Sequence, residues 1–169
     1  MLIEEFIQNV QSEYSKGVQS KDTRLSPRHI YSVGIAARET VLTQQANKKQ
    51  IISEWNYQTL DCVELEPQRI NPLVSSGPIL RSKYKIPRIL SSLEGPLFRS
   101  ITSLDGSITF DITSFGTNIY NKGNKFTSKK PKVFLINNYL HLTNYKHLEA
   151  ITPVALFNDP LEAAMFPSL

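Results

Sequence analysis

The chain changes its pattern once, near residue 54, and this change limits the folds open to it more than any other feature. Before that point apolar residues recur at the spacing of one helical face, and after it prolines, glycines and short alternating runs dominate. We therefore predict an α+β protein with an N-terminal helical hairpin or bundle, a small antiparallel β part made of hairpins, and long Pro-bounded extended arms. The helical portion covers residues 1–54 and the β-rich portion residues 55–169, and we expect the two to form one integrated domain.

Two helices are predicted in the helical portion. The first begins at Ile3 and ends near Gly17, a plausible C-cap. The second begins at Ser26-Pro27, an N-cap followed by a residue that has no N–H to lose, and runs to about Gln45. Its apolar stripe comprises Ile30, Val33, Gly34, Ala37, Val41 and Ala46. The small residues predict close approach of a neighbouring helix. Because two helices alone bury too little surface, the β-rich portion or neighbouring chains must cover them.

The β-rich portion contains two hairpin signals. Asp105-Gly106 lies between runs at 100–103 and 107–113, and Asn137-Asn138 lies between runs at 132–136 and 139–143. Both dipeptides tolerate the positive φ of tight turns, and a type I′ turn is plausible at the second. Another strand is expected over residues 148–156, broken at Pro153. The stretch 67–98 reads as an extended arm, and residues 158–166 read as a short capped helix.

Composition excludes several classes of protein. With 169 residues the chain can bury a core, and with 40% hydrophobic residues it is not intrinsically disordered. A mean hydropathy of −0.25 and the lack of a long apolar run predict no membrane span. The single Cys62 excludes a disulfide scaffold. The acidic first residues do not resemble a secretory signal, so we expect synthesis in an intracellular, reducing environment.

No catalytic or metal-binding constellation is recognisable. Cys62 lies beside Asp61 and Glu64, whose charges oppose thiolate formation. His141 and His147 could meet in space, but a pair of histidines without carboxylate ligands is weak evidence for a metal. Nucleophile elbows, phosphate loops and dinucleotide fingerprints are absent from the sequence. We therefore predict a protein that is not an enzyme and that needs no cofactor.

Charge is distributed unevenly along the chain. Residues 112–148 contain no Asp or Glu but six lysines, and a second basic group occupies positions 81–88. A basic loop of this kind can contact nucleic-acid phosphates, dock on an acidic protein surface, or simply be solvated. Docking on an acidic protein and a solvated loop are favoured equally here, and contact with nucleic acid is favoured less.

Several stretches together resemble the small virion ring proteins at the head-to-tail junction of crAss-like bacteriophages. These stretches are residues 24–31, 42–50, 55–65, 79–87, 100–107, 120–127 and 156–162. The resemblance covers nearly the whole chain, and its motifs are distinctive in combination. It implies a non-enzymatic virion component, made in the host cytoplasm, that forms a ring in the connector or tail barrel below the portal and keeps the DNA channel continuous.

The resemblance also implies partners. They are copies of the chain itself in a twelvefold ring, the portal protein and other tail ring proteins, together with non-specific contact with genomic DNA. The predicted interface residues are Arg28, Tyr31, Trp55, Tyr57, Arg81, Lys83, Lys85, Lys122, Lys125, Lys129, Lys130 and Lys132. The alternative prediction, from a different class, is a nucleic-acid-binding module that uses the Lys-rich hairpin region.

Overall fold

The computed structural model describes residues 3–15, 26–68, 79–114, 116–117, 130–145 and 147–167. The helices are α1 (Ile3–Tyr14), α2 (Pro27–Asn47) and α3 (Pro160–Ala164), with a 3₁₀ turn at Glu54–Asn56. Ser26 caps α2 as predicted, since its hydroxyl accepts a hydrogen bond from the His29 amide at 3.2 Å. The predicted C-cap Gly17 lies outside the described residues.

The two N-terminal helices pack against each other, as predicted, through a small residue. The ring of Phe6 in α1 lies so close to Gly34 in α2 that a Cβ there would be 3.1 Å from Phe6 Cε1. The apolar stripe predicted for α2 is partly wrong. Ile30 and Leu42 are buried, but Val33 and Val41 are about half exposed, because α2 turns its Leu42 side, rather than its valines, towards the sheet.

The β-rich portion forms one large sheet, not the small part that the sequence predicted. The sheet has eight strands in the order β1-β10-β2-β3-β9-β8-β7, with β6 also paired to β10, and it is strongly curled, like half of a barrel. Its strands are β1 (Gln58–Thr59), β2 (Val63–Gln68), β3 (Ile79–Ser82), β6 (Phe98–Ser103), β7 (Asp111–Ile112), β8 (Lys132–Ile136), β9 (Tyr139–Thr143) and β10 (Ala150–Ala155). A separate two-stranded ribbon consists of β4 (Ser91–Ser92) and β5 (Gly95–Pro96).

The sheet is also mixed rather than antiparallel throughout, because β7 pairs with β8 in parallel. Pairing between strands far apart in sequence enlarges it: β3 joins β9, and β10 joins β1, β2 and β6. These long-range pairs have no local signature, so the two hairpins were visible in the sequence while the sheet that contains them was not.

The second hairpin is confirmed with the predicted bounds. Asn137 and Asn138 have φ values of 51° and 62°, as a type I′ turn requires, between β8 and β9. The first hairpin is confirmed in part. Gly106 has φ of 70°, and the Phe110 amide donates to Ile101 O, but the returning segment then leaves β6 to form β7.

The predicted break at Pro153 is wrong, because β10 runs through it without interruption. Pro153 O accepts a hydrogen bond from the Leu60 amide, and in an antiparallel strand a residue's nitrogen faces the same neighbour as its carbonyl. That neighbour is the segment that connects β1 to β2. The nitrogen of Pro153, which has no hydrogen to donate, therefore faces this connecting segment, where the pairing of strands is already interrupted.

The stretch 67–98 is not a free extended arm. Its residues 69–78 lie outside the described part, and the remainder contributes the end of β2, then β3, β4 and β5. The connection after β3 packs into the protein, since Ile86, Ile89 and Leu90 are buried. The Leu90 amide donates to Leu156 O, and Leu90 O accepts from the Leu97 amide. These apolar side chains belong to the core of the chain itself.

Among the described residues the core has one main cluster and two smaller ones. Val63, Ile101, Leu142 and Ile151 of the main cluster are all essentially fully buried. One smaller cluster docks the helix, because it brings Leu42 of α2 against Leu90 and Leu156, and the other contains Ile79 and Phe134. None of the described helices combines the length and apolarity needed to cross a bilayer.

Candidate functional site

Large apolar side chains are exposed where α2 ends. Ile51 and Trp55 expose 97% and 94% of their surface, and Leu93, at the tip of the β4–β5 ribbon, exposes 88%. The ribbon is fixed beside the end of the helix, because the Leu93 amide donates to Asn47 Oδ1 at 2.9 Å and Lys49 pairs with Glu94 at 2.9 Å. We call Ile51, Trp55 and Leu93 the apolar edge. Trp55 was predicted at an interface, and the structure leaves its indole uncovered within the chain.

Tyr57, two residues further on, faces the protein rather than the solvent. It packs on the Leu42 cluster, and the Arg99 guanidinium lies 5.6 Å from the centre of its ring. Arg99 in turn pairs with Glu54 at 2.6 Å. Within one subunit, Tyr57 therefore supports the turn that displays Trp55.

Tyr31, also predicted at an interface, is engaged inside the chain. Its hydroxyl donates to Asp159 Oδ1 at 2.6 Å, and the same carboxylate oxygen accepts from the Leu161 amide and caps α3. Burial, reinforced by the Asp159 hydrogen bond, raises the pKa of Tyr31 to about 12. Arg28, at the exposed start of α2, is accessible.

Arg38 completes the attachment of α2 to the end of the chain. Its guanidinium donates to Phe157 O at 2.6 Å, to Asn158 O at 3.3 Å and to Asn56 O at 3.3 Å. Burial lowers the pKa of Arg38, and the neighbouring Asp159 opposes that effect. No local pattern in the sequence predicts this arrangement, since the partners lie 18 to 120 positions away.

The basic group at positions 81–88 is largely neutralised by acidic partners. Arg81 pairs with Glu66 and Lys83 with Glu64, both across the β2–β3 pair, and Arg88 lies 3.8 Å from Glu39 of α2. The bond to Glu64 raises the pKa of Lys83. Glu64 and Glu66 of β2 are thus ion-pair partners of this group.

Lys85 differs from its basic neighbours. Its side chain is exposed and lies 5.9 Å from the centre of the Tyr139 ring, and no carboxylate pairs with it among the described residues. Of this group it is therefore the cation most available to another molecule.

The Lys-rich segment is described only at its end. Lys122, Lys125 and Lys129 lie outside the described residues. Lys130 is exposed, whereas Lys132 is 5% exposed at the start of β8. Within one subunit, Lys132 therefore offers little surface for an ionic contact.

His141 lies on the opposite side of the sheet from Leu140 and Leu142. Its imidazole stacks on Phe134 with ring centres 5.2 Å apart. Burial, with the added charge of Arg81, lowers the pKa of His141 to about 4, which favours a neutral ring. This is the environment of a packed side chain rather than of a catalytic acid.

Two open clefts complete the surface. The larger, of about 810 Å³, lies between the first hairpin and the start of β10, and Cys62 and His147 line it. The smaller, of about 490 Å³, lies beside α3. The described ranges contain no group of three His, Cys, Asp or Glu side chains placed to hold a metal ion.

Sequence reasoning missed Ile51, Leu93 and the cleft beside α3. Ile51 follows a helix end, and Leu93 sits in a Ser-Ser-Leu-Glu-Gly turn. An apolar residue at the tip of a turn can indicate an interaction surface, because such tips are normally polar. The cleft has no such signal, since it joins residues 85–87 to residues 159–167.

Comparison with known proteins is consistent with a structural role. A protein-family model described as phage tail ring protein 2 matches residues 5–167, which is nearly the whole chain. No curated protein matches the chain.

Proposed function

Because the chain belongs to the phage tail ring protein 2 family, we propose that it forms a ring in the head-to-tail connector below the portal and keeps the DNA channel continuous. Membership makes the protein a structural, non-enzymatic virion component, and a ring protein associates with copies of itself. The position of its ring beneath the portal is our proposal.

The observation that carries the proposal is the family match together with the apolar edge. Each protomer has its own core, yet it exposes Trp55, Ile51 and Leu93 almost completely. Soluble monomers rarely expose large contiguous apolar patches, and Trp is among the residues most enriched in interface hot spots. A surface of this kind suits a subunit that is completed by its neighbours.

We further propose twelve copies in the ring, with the helical portion towards the portal and the Lys-rich segment 122–132 towards the next ring. A heterologous contact repeated around an axis closes a ring, and two different side surfaces make such contacts. In the assembled particle, a segment 122–132 that points freely into solvent would contradict the proposed contact between rings.

The mass of the purified protein, alone and mixed with the portal protein, tests the function. Multi-angle light scattering should show a closed oligomer with the portal, whether or not the protein is monomeric alone. A protein that remains monomeric in both samples and is absent from purified particles would contradict the proposal.

Nucleic-acid binding by the Lys-rich region is the second candidate, and the acid-free run at residues 112–148 favours it. Against it, Arg81, Lys83 and Arg88 already have carboxylate partners. A salt titration of DNA binding separates the two. A true binder loses affinity steeply as salt rises, because counterions are released for each phosphate contacted. A ring protein should bind DNA weakly and without sequence preference, or not at all.

A further inference from the structure

The cleft beside α3 has an apolar wall and a charged rim. Pro87, Leu161, Met165 and Phe166 form the wall, and Lys85 and Glu162 form the rim. We call these six residues the C-terminal groove. Its volume is about 490 Å³, and it is open to solvent. Met165 exposes 77% of its surface there, so the groove is lined by an apolar side chain that the chain itself does not cover.

The chemistry of the groove suits an indole ring. A flexible thioether adapts its shape to an aromatic ring and makes favourable sulfur–aromatic contacts. A lysine ammonium is attracted to the face of an aromatic ring, most strongly to Trp, and Lys85 lacks a carboxylate partner among the described residues. An indole N–H needs an acceptor when it is buried, and the Glu162 carboxylate provides one at the rim.

Trp55 is the matching side chain on the apolar edge. It is the only Trp in the chain and is 94% exposed. Burying one such side chain removes about 150–250 Å² from water. Charge is complementary as well, because Lys48 is exposed near the apolar edge and Glu162 is exposed at the groove. Ile51 and Leu93 would surround the inserted ring and exclude water from it.

The apolar edge and the C-terminal groove share no residue. The segments that carry them are linked within one subunit, because the Gln58 side chain donates to Pro160 O and the Asn158 amide donates to Arg88 O. Because the two surfaces differ, a contact between them can repeat in one direction around an axis and close a ring of identical subunits.

We propose that Trp55 of one subunit inserts into the C-terminal groove of the next copy of this chain, an inference that rests on the proposed ring. The pairing repeats around the ring, with Trp55 as the anchor and Met165, Phe166 and Lys85 as its socket. Each protomer then provides its apolar edge to one neighbour and its C-terminal groove to the other.

Complementation of two variants tests the pairing in the full chain. Trp55→Ala removes the inserted side chain, and Met165→Glu places a charge in the groove, so each variant alone should lose ring assembly with the portal. When the two variants are mixed, one intact pairing remains, because the Met165→Glu chain keeps Trp55 and the Trp55→Ala chain keeps an unaltered groove. They should form one-to-one heterodimers. Leu104→Ala, which alters another exposed apolar residue at a hairpin tip, is the matched control and should assemble normally.

Photo-crosslinking supplies a second readout that does not depend on loss of assembly. A benzophenone amino acid at position 55 should crosslink, in assembled rings, to residues 159–167 of another copy. Normal assembly by both single variants, or crosslinks to any other segment in rings that do form, would overturn the pairing and leave the ring proposal intact. If the unaltered chain forms no ring with the portal and is absent from particles, the proposed function itself fails.

Discussion

Individual side chains attach helix α2 to the sheet, and Arg38 makes the largest contribution through its hydrogen bonds. It bridges three backbone carbonyls that belong to two separate segments, those of Phe157 and Asn158 in one and that of Asn56 in the other. A hydrogen bond to a charged group contributes more than one between neutral groups, and a buried carbonyl left without a donor adds a desolvation cost. Arg38 therefore links the turn that displays Trp55 to the start of α3.

Replacing Arg38 by Met should lower the free energy of unfolding by about 2–3 kcal/mol, because three carbonyls lose their donor. Urea denaturation followed by circular dichroism measures it. Arg28→Met, on the exposed start of the same helix, is the matched control and should change stability by less than about 0.5 kcal/mol. Equal effects of the two substitutions would contradict the role assigned to Arg38.

His141 makes stability depend on pH in a defined direction. Its pKa is about 4 in the folded protein against an ordinary 6.5, so between these values the unfolded chain binds more protons. Stability is then fully present above pH 6.5 and is lost as pH falls towards 4. Allowing for partial solvation, the loss from this group should be about 1–2 kcal/mol.

His141→Phe should keep the stacking on Phe134 and remove this part of the acid sensitivity. The measurement is the difference in unfolding free energy between the two proteins at pH 7.5 and at pH 4.5. That difference should shift in favour of the variant at the lower pH. A difference that does not change with pH would contradict the assigned cause.

At the scale of elements, α1 packs against α2 near Gly34. The Phe6 ring fills the space where a Cβ of Gly34 would lie, and no residue of α1 is buried. An isolated helix of 12 residues is marginal in water. Its order therefore depends on this contact within a subunit, or on contacts with neighbouring subunits.

Gly34→Ile should displace Phe6 and release α1 while leaving the sheet intact. Hydrogen–deuterium exchange should show lost protection over residues 3–14 and unchanged protection over residues 150–155. Ala36→Ile, on an exposed position of α2, is the control and should leave α1 protected. Protection of α1 that survives Gly34→Ile would show that another contact holds it.

At this scale, turns and helix caps could be predicted from the sequence, whereas contacts between segments far apart in the chain could not. The Asn137-Asn138 turn, the Ser26 cap and the short capped helix near the end of the chain were confirmed because a few adjacent residues decide each of them. The break at Pro153 was wrong because its cost depends on which strand its nitrogen faces. The side of α2 that is buried depended on where Leu90 and Leu156 lie, which helical periodicity does not contain.

The candidate site shows the same division. Trp55 was predicted as an interface residue from the sequence and is exposed in the structure, which supports the proposal without testing it. The basic residues 81–88 were predicted as a docking arm, and the fold gives three of them carboxylate partners on β2 and α2. The C-terminal groove could not be predicted, because two distant segments form it.

For the whole molecule, the structure describes a protomer with a sufficient core and two unlike surfaces. The curled sheet buries its own apolar residues, so the chain can fold before it assembles. The apolar edge and the C-terminal groove remain exposed in the single subunit, and we propose that neighbouring subunits cover them. This division suits a protein that is added to a growing particle as a folded unit, since the ring then requires only contacts between preformed surfaces.

Cryo-electron microscopy of the assembled particle tests the central claim most directly. We predict a closed ring of copies of this chain in the connector below the portal, around a continuous channel, with each Trp55 against the C-terminal groove of the next copy. The claim would be contradicted by a particle in which this chain forms no closed ring, or forms one away from the path between portal and tail.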